Sequence, residues 1–145
     1  MKTLSVLAVA LLAAPAFADH HEEKTTAKCP VMDRPINKEF STEYKDATVY
    51  FCCAKCVGKF EENTDKYAAK ANAQLVATGQ AKQTACPITG GKINPDKKAE
   101  VAGVEVNFCC GNCEGKVKSA DEKKAMMLVF SDKAFVKAFE VKGDK

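Results

Sequence analysis

The pattern of apolar and polar residues predicts a short β-hairpin in each half of the chain. In the first half, residues 47–51 are rich in strand-forming residues, and Lys45-Asp46 separates them from Tyr44. In the second half, Val104, Val106 and Phe108 alternate with polar residues, so one face of this strand should be buried. Ala102-Gly103 precedes that strand and is typical of a tight hairpin turn.

Helical patterns follow the first hairpin. Residues 53–60 contain no helix breaker except Gly58, so a short helix is predicted there. A second helix is predicted from about residue 63, with Asn63 or Thr64 as its cap, to about residue 78. Helical spacing relates Tyr67, Ala71, Leu75 and Thr78, and Gly79 is a plausible stop. Residues 80–85 are then predicted to be a linker.

The second half follows the same plan with one more helix. Helices are predicted over residues 110–118 and 121–130, and Ser131 is predicted to cap a last one that ends at Phe139. Phe135 and Phe139 are four residues apart and are predicted to be core residues. Met126-Met127 is assigned to the core, with copper binding as the alternative. The predicted fold class is small α+β.

The amino-terminal residues are predicted to be a leader. Residues 1–18 combine a positive start, an apolar run and a small-residue cleavage site, which is typical of a signal peptide. Residues 19–28 are polar and are predicted to be a flexible lead-in. The mature protein is predicted to be exported, to a bacterial periplasm or as a secreted protein. No later segment approaches the length that spans a bilayer, so no stable membrane span is expected.

Charge and composition exclude several function classes. The chain has 22 basic and 19 acidic residues, with both signs interspersed, and this balance predicts no nucleic-acid partner. The sequence contains no carboxylate pair, Ser/His/Asp set or glycine-rich phosphate loop, and we therefore do not expect an enzyme. Each half is small enough for a metal or a disulfide to be commonly recruited to support its core.

All eight cysteines lie in two frames that repeat at an offset of 57 residues. The first frame holds Cys29, Cys52, Cys53 and Cys56, and the second holds Cys86, Cys109, Cys110 and Cys113. In each, a cysteine in a tight, knuckle-like turn precedes the hairpin, and the others fall at the start of a helix. Cysteines four residues apart share a helix face, and thiolates are soft ligands that favour Cu(I) or Zn(II).

These frames resemble a known group of domains. The Cys-x22-Cys-x3-Cys spacing of Cys29, Cys52 and Cys56 is similar to that of the TRASH domain, and Phe60 and the segments around the cysteines resemble the related YHS domain. The same spacing fits Cys86, Cys109 and Cys113. The resemblance implies two tandem treble-clef-like modules, residues 29–80 and 86–145, associated with heavy-metal trafficking and resistance. A periplasmic metal-donor or acceptor protein would then be a partner.

Many treble-clef sites have a second cysteine three residues after the first, and neither frame has a cysteine at that position. Met32 stands there in the first frame and could be a soft thioether ligand or a core residue. Thr89 stands there in the second and cannot play the same part, so that site would need Cys110 or an outside ligand. Cys53 and Cys110 are additional to the three-cysteine pattern and could be fourth ligands or resolving thiols.

Two alternatives to metal binding use the same cysteines. An even cysteine count in an exported protein is typical of disulfides, which would make the chain a stapled interaction module without metal. Thiol-redox chemistry is the third hypothesis. It is disfavoured because the Cys-x-x-Cys pairs lack a thioredoxin-like βαβ setting.

A separate copper site is conceivable at the cleaved terminus. Cleavage after Ala18 would leave Asp19-His20-His21 at the start of the mature chain. A free amine, two amides and the imidazole of His21 would then form a square-planar nitrogen set that suits Cu(II). The alternative is that His20 and His21 are solvated tail residues.

Overall fold

The computed structural model describes residues 27–143, which form a small α+β fold. The predicted fold class is confirmed. The elements of this part of the chain, in order, are as follows: β1 Asn37–Tyr44, β2 Ala47–Phe51, α1 Ala54–Glu62, α2 Thr64–Ala77, β3 Ala81–Gln83, β4 Asn94–Val101, β5 Val104–Phe108, α3 Gly111–Lys118, α4 Glu122–Phe130, α5 Asp132–Ala138 and β6 Phe139–Val141.

Both predicted hairpins are confirmed. Strand β1 pairs antiparallel with β2, and β4 pairs with β5, each with a register shift near the start of its first strand. Both residues of each two-residue turn have positive φ angles: 53° and 57° at Lys45 and Asp46, and 54° and 77° at Ala102 and Gly103. Such turns match the right-handed twist of the flanking strands. Strands β2 and β5 end at Phe51 and Phe108, so each hairpin ends immediately before a pair of adjacent cysteines.

The predicted helices are confirmed with small differences at their ends. Helix α2 covers almost the whole predicted segment, and α1 and α3 begin one residue after Cys53 and Cys110. The predicted cap at Ser131 is wrong in detail, because Ser131 occupies the cap position of α5 but its side chain makes no capping hydrogen bond. Asp121 does cap α4, where its carboxylate accepts from the Lys124 N–H at 2.9 Å.

The segment predicted to be a linker is a strand. Strand β3 pairs antiparallel with β6, in a register that joins Ala81 to Val141 and Gln83 to Phe139. The last helix accordingly ends at Ala138, one residue earlier than predicted, because Phe139 belongs to β6. The middle of the chain and its carboxyl end are thereby joined in one small sheet.

Aromatic and aliphatic side chains of both halves form the core. Its largest fully buried members include Phe51, Phe60, Phe108, Phe130, Phe135 and Leu75. The predicted burial of Val104, Val106 and Phe108 is confirmed, as is that of Phe135 and Phe139. The prediction for Met126-Met127 is half wrong, because Met127 is 52% exposed while Met126 is partly buried.

A polar network joins the first hairpin to the last helix. Buried Asn72 donates to the Phe130 carbonyl at 2.8 Å and to the Asp132 carboxylate at 2.9 Å. The Lys45 ammonium lies 2.6 Å from the same carboxylate, and the Tyr44 hydroxyl donates to it at 3.2 Å. Burial opposes the charged form of Asp132, but the hydrogen bonds from Lys45, Asn72 and Tyr44 outweigh this and hold its pKa below the usual value.

This network predicts a pH-dependent stability. A carboxylate whose pKa is lowered by folding stabilises the fold above its unfolded pKa, near 4, and loses that contribution as pH falls through its folded pKa. Replacing Asp132 with Ala should therefore lower the free energy of unfolding by about 1 kcal/mol at pH 7, and by less as the pH approaches 3. Urea unfolding of both proteins at several pH values measures this difference. A difference that stays constant over the range would contradict the prediction.

Candidate metal centre

The first cysteine of each frame lies in the predicted tight turn. The Cys29 N–H donates to the Arg34 carbonyl at 2.8 Å, and the Asp33 N–H donates back to the Cys29 carbonyl at 2.9 Å. The Cys86 turn has the same pair of bonds, from Cys86 to the Gly91 carbonyl at 2.9 Å and from Gly90 to the Cys86 carbonyl at 2.7 Å. The φ angle is +54° at Asp33 and +78° at Gly90, which are equivalent positions.

Hairpin and helix bring the remaining thiols to these turns. Cys52 follows β2 directly, and Cys56 lies on the first turn of α1, with the two sulfurs 3.7 Å apart. Cys109 and Cys113 are placed in the same way by β5 and α3, with sulfurs 3.6 Å apart. The ligand atoms of Cys29, Cys52 and Cys56, here called the first trio, all lie within 4.8 Å of one another.

The second trio is Cys86, Cys109 and Cys113, and it meets the same 4.8 Å limit. Thiolates that share a metal at about 2.3 Å lie on the order of 4 Å from each other, so both trios fit a thiophilic ion. The predicted approach of these six thiols is confirmed. Their use as metal ligands stays a prediction.

The thiols in the two turns are stabilised as thiolates. Burial raises the pKa of Cys86, but N–H groups of Thr89, Cys109 and Ile88 and the Thr89 hydroxyl outweigh this and lower it to about 7. Cys29 is in the same situation. Burial opposes its ionisation, and N–H groups from Cys52, Met32 and Val31 lower its pKa below the usual value.

The pKa values of the thiols on the helices are shifted in the opposite direction. Burial raises the pKa of Cys56 above its usual value, and hydrogen bonds to the neighbouring thiols add to this. Burial and the same type of contacts raise the pKa of Cys113 to about 12. Each trio thus combines a turn cysteine whose pKa is lowered with a helix cysteine whose pKa is raised, and a bound cation would favour the ionised form of both.

The fourth cysteine of each frame lies beside its trio. The Cys53 sulfur is 3.4 Å from the Cys56 sulfur, and the Cys110 sulfur is 3.7 Å from that of Cys109. Cys53 is half-buried and Cys110 is exposed. The contact with the Cys56 thiol lowers the pKa of Cys53, and the Cys113 N–H lowers that of Cys110. Both positions suit a fourth ligand or a resolving thiol.

Met32 and Thr89 differ in their surroundings. The interpretation of Met32 as a core residue is wrong, because Met32 is 47% exposed. The Thr89 hydroxyl lies 3.3 Å from the Cys109 sulfur and also accepts from the Gly91 N–H at 3.2 Å. Sequence reasoning missed this contact, although the position of Thr89 three residues after Cys86 was a signal that could have found it.

Several predictions concern residues outside the described part of the chain. The signal peptide, most of the lead-in and the copper site at His20 and His21 all precede residue 27. Among residues 27–143, no helix is both long enough and apolar enough to cross a membrane. Comparison with protein-family models, curated proteins and solved structures gave no match to this chain.

Proposed function

We propose that this chain binds thiophilic metal ions, Cu(I) or Zn(II), and acts in their sequestration or delivery after export. The observation that carries the proposal is the mutual approach, in both trios, of three sulfurs within 4.8 Å. One metal ion can hold all three sulfurs of a trio at once, whereas a disulfide joins only two of them and the third would have to pair with the fourth cysteine of its frame. The soft thiolate set favours Cu(I) and Zn(II) over hard cations.

Delivery is supported by the accessibility of some of these sulfurs. Cys52 and Cys109 are only partly buried, and Cys110 is exposed. An incoming thiolate of a donor or acceptor protein could therefore reach the metal while the buried Cys29 or Cys86 still holds it. We propose that such a partner exists in the periplasm and exchanges metal with this protein by successive replacement of sulfurs.

We also propose that the two halves are treble-clef-like modules of the TRASH/YHS type. The support is the cysteine spacing together with a turn, hairpin and helix in the same order in both halves. The duplicated hydrogen bonds of the two cysteine turns are further support, because they occur at equivalent positions. The module would then serve as a metal-binding unit and not as a catalyst.

The experiment that tests the proposed function counts thiols and metal on the same sample. Reduced protein is loaded with Zn(II) or Cu(I) without oxygen, freed of excess metal, and treated with a thiol reagent before and after a strong chelator. We expect two ions per chain and slow reaction of the six trio thiols until the chelator is added. Protein that retains no metal and regains four disulfides in air would instead support the stapled module.

The two sites should differ in affinity. The first frame has Met32 three residues after Cys29, whereas the second has Thr89 at the matching position, with its hydroxyl 3.3 Å from the Cys109 sulfur. A thioether adds a soft donor for Cu(I), so we expect the first site to bind Cu(I) more tightly. Replacing Cys56 with Ser should then reduce total Cu(I) affinity more than replacing Cys113 with Ser. Competition with a Cu(I) chelator measures both variants, and equal losses or the reverse order would contradict this asymmetry.

A further inference from the structure

A glutamine side chain connects the two backbone segments that carry the first trio. Gln74 lies on α2 and is 2% exposed. Its side-chain oxygen accepts from the Tyr50 N–H at 2.7 Å, and its nitrogen donates to the Tyr50 carbonyl at 2.7 Å and to the Lys28 carbonyl at 2.9 Å. Both amide hydrogens are therefore used, and they are directed to different segments.

Each of these two segments leads directly to a cysteine of the first trio. Lys28 directly precedes Cys29, and Tyr50 lies two residues before Cys52. The planar amide of Gln74 thus fixes the distance between the turn that holds one ligand and the strand that delivers the next. The Cys52 N–H and the Cys52 thiol also interact with the Cys29 thiol across the two segments, but these groups belong to the site itself.

The second half contains the same arrangement, but the glutamine comes from a different element. Gln83, on β3, accepts from the Asn107 N–H at 2.9 Å and donates to the carbonyls of Asn107 at 2.7 Å and Ala85 at 2.9 Å. Asn107 and Ala85 are the positions that match Tyr50 and Lys28 at the 57-residue offset. The match of Gln74 itself is Ser131, so Gln83 is not a product of the repeat.

A third glutamine provides a natural comparison. Gln80 accepts from the Thr48 N–H and donates to the Thr48 carbonyl, both at 2.8 Å. It therefore makes the same paired contact with β2 as Gln74 does, two residues further from the cysteines. Its side chain also bonds to the Thr78 hydroxyl, and its backbone carbonyl accepts from the Lys142 N–H at 2.7 Å; among residues 27–143, none of its hydrogen bonds reaches the Cys29 turn.

We propose that Gln74 and Gln83 are positioning residues that preorganise the first and second trio, respectively. The proposal rests on the metal-binding function proposed above. Residues that support the ligands without binding the metal hold them at the geometry the metal requires. Loss of such a supporting residue commonly weakens metal affinity about 10–100-fold. A glutamine that only closes the open edge of a strand, such as Gln80, affects the stability of the fold and leaves the ligand geometry intact.

The test compares Gln74→Met, Gln83→Met and Gln80→Met, which keep side-chain length and remove the amide. The probe is Zn(II), buffered by a chelator, and the amide signals of Cys52 and Cys109 report the occupancy of each trio in NMR spectra. We expect Gln74→Met to weaken the first site about 10–100-fold, Gln83→Met to weaken the second to the same extent, and Gln80→Met to change neither site by more than about threefold.

A second measurement uses the reduced, metal-free protein. The Cys52 N–H lowers the pKa of Cys29, and the Cys109 N–H lowers that of Cys86, so each of these amides interacts across the two segments in question. Hydrogen exchange should become at least about tenfold faster at Cys52 in Gln74→Met and at Cys109 in Gln83→Met, with no such change at either amide in Gln80→Met.

The outcomes separate this inference from the proposed function. If the unaltered protein binds no Zn(II), the metal proposal loses its support for Zn(II), and hydrogen exchange alone decides whether the glutamines position the thiols. The inference is overturned if Gln80→Met has the same effect as Gln74→Met, or if both sites and both amides are unaffected by loss of Gln74 and Gln83. If Gln74→Met does not fold, the less buried Gln83→Met decides the matter at the second trio.

Discussion

Replacing Cys29 with Ser is expected to reduce the metal content of the reduced protein from two ions per chain to one. Cys29 is fully buried, and its sulfur is the most readily ionised of the first trio. Serine is similar in shape but supplies no soft thiolate. Because loss of a group behind a ligand already costs about 10–100-fold, loss of the ligand itself should exceed about 100-fold in affinity.

The matched control is Cys53→Ser, which removes a neighbouring thiol of the same half that lies outside the trio. It should lose clearly less metal than Cys29→Ser on dialysis against a chelator of intermediate strength, because Cys53 is at most a fourth ligand beside the three sulfurs of the trio. Elemental analysis of the dialysed samples measures the content directly. Two ions retained by Cys29→Ser, or one ion lost by Cys53→Ser as readily as by Cys29→Ser, would be inconsistent with the assignment of the first trio.

The second large effect concerns stability. Phe60 is 2% exposed on α1, and its ring lies 5.3 Å from the ring of Phe51 and 5.5 Å from that of Tyr44, measured between centroids. Replacing Phe60 with Ala should lower the free energy of unfolding by about 3–5 kcal/mol, because it removes these contacts and leaves a cavity. For a small domain this is a large part of the total stability.

Urea unfolding of the reduced, metal-free protein measures the loss, with Met127→Ala as the control. Met127 is 52% exposed, and its replacement should change stability by no more than about 0.5 kcal/mol. Since α1 also carries Cys56, Phe60→Ala should weaken the first metal site along with the fold. A loss below about 1 kcal/mol would mean that the aromatic cluster does not support this half of the molecule.

The local elements of this fold could be predicted from sequence because their signals are local. The hairpins follow from strand-forming residues and two-residue turns, and the helices follow from apolar spacing and stop residues. Strand β3 could not be predicted in this way. It has three residues, Ala81-Lys82-Gln83, and becomes a strand only because its partner β6 arrives from the far end of the chain.

The candidate site shows the same division. The spacing of the cysteines was enough to predict both trios, because each hairpin returns the chain to its starting point. The contacts of Gln74 and Gln83 were beyond sequence reasoning, since the two residues lie on different elements and do not obey the 57-residue offset. The hydrogen bonds of buried Asn72 could not be predicted for a related reason, because its partners, Phe130 and Asp132, lie in the other half of the chain.

The most direct test of the account is X-ray absorption at the metal edge of protein loaded with Zn(II) or Cu(I). We expect a shell of three sulfurs at about 2.3 Å around each ion, with at most one further ligand. Variants with one trio replaced by serines should keep that shell in the remaining site at half the metal content. A shell dominated by nitrogen or oxygen, or no retained metal in fully reduced protein, would contradict the central claim.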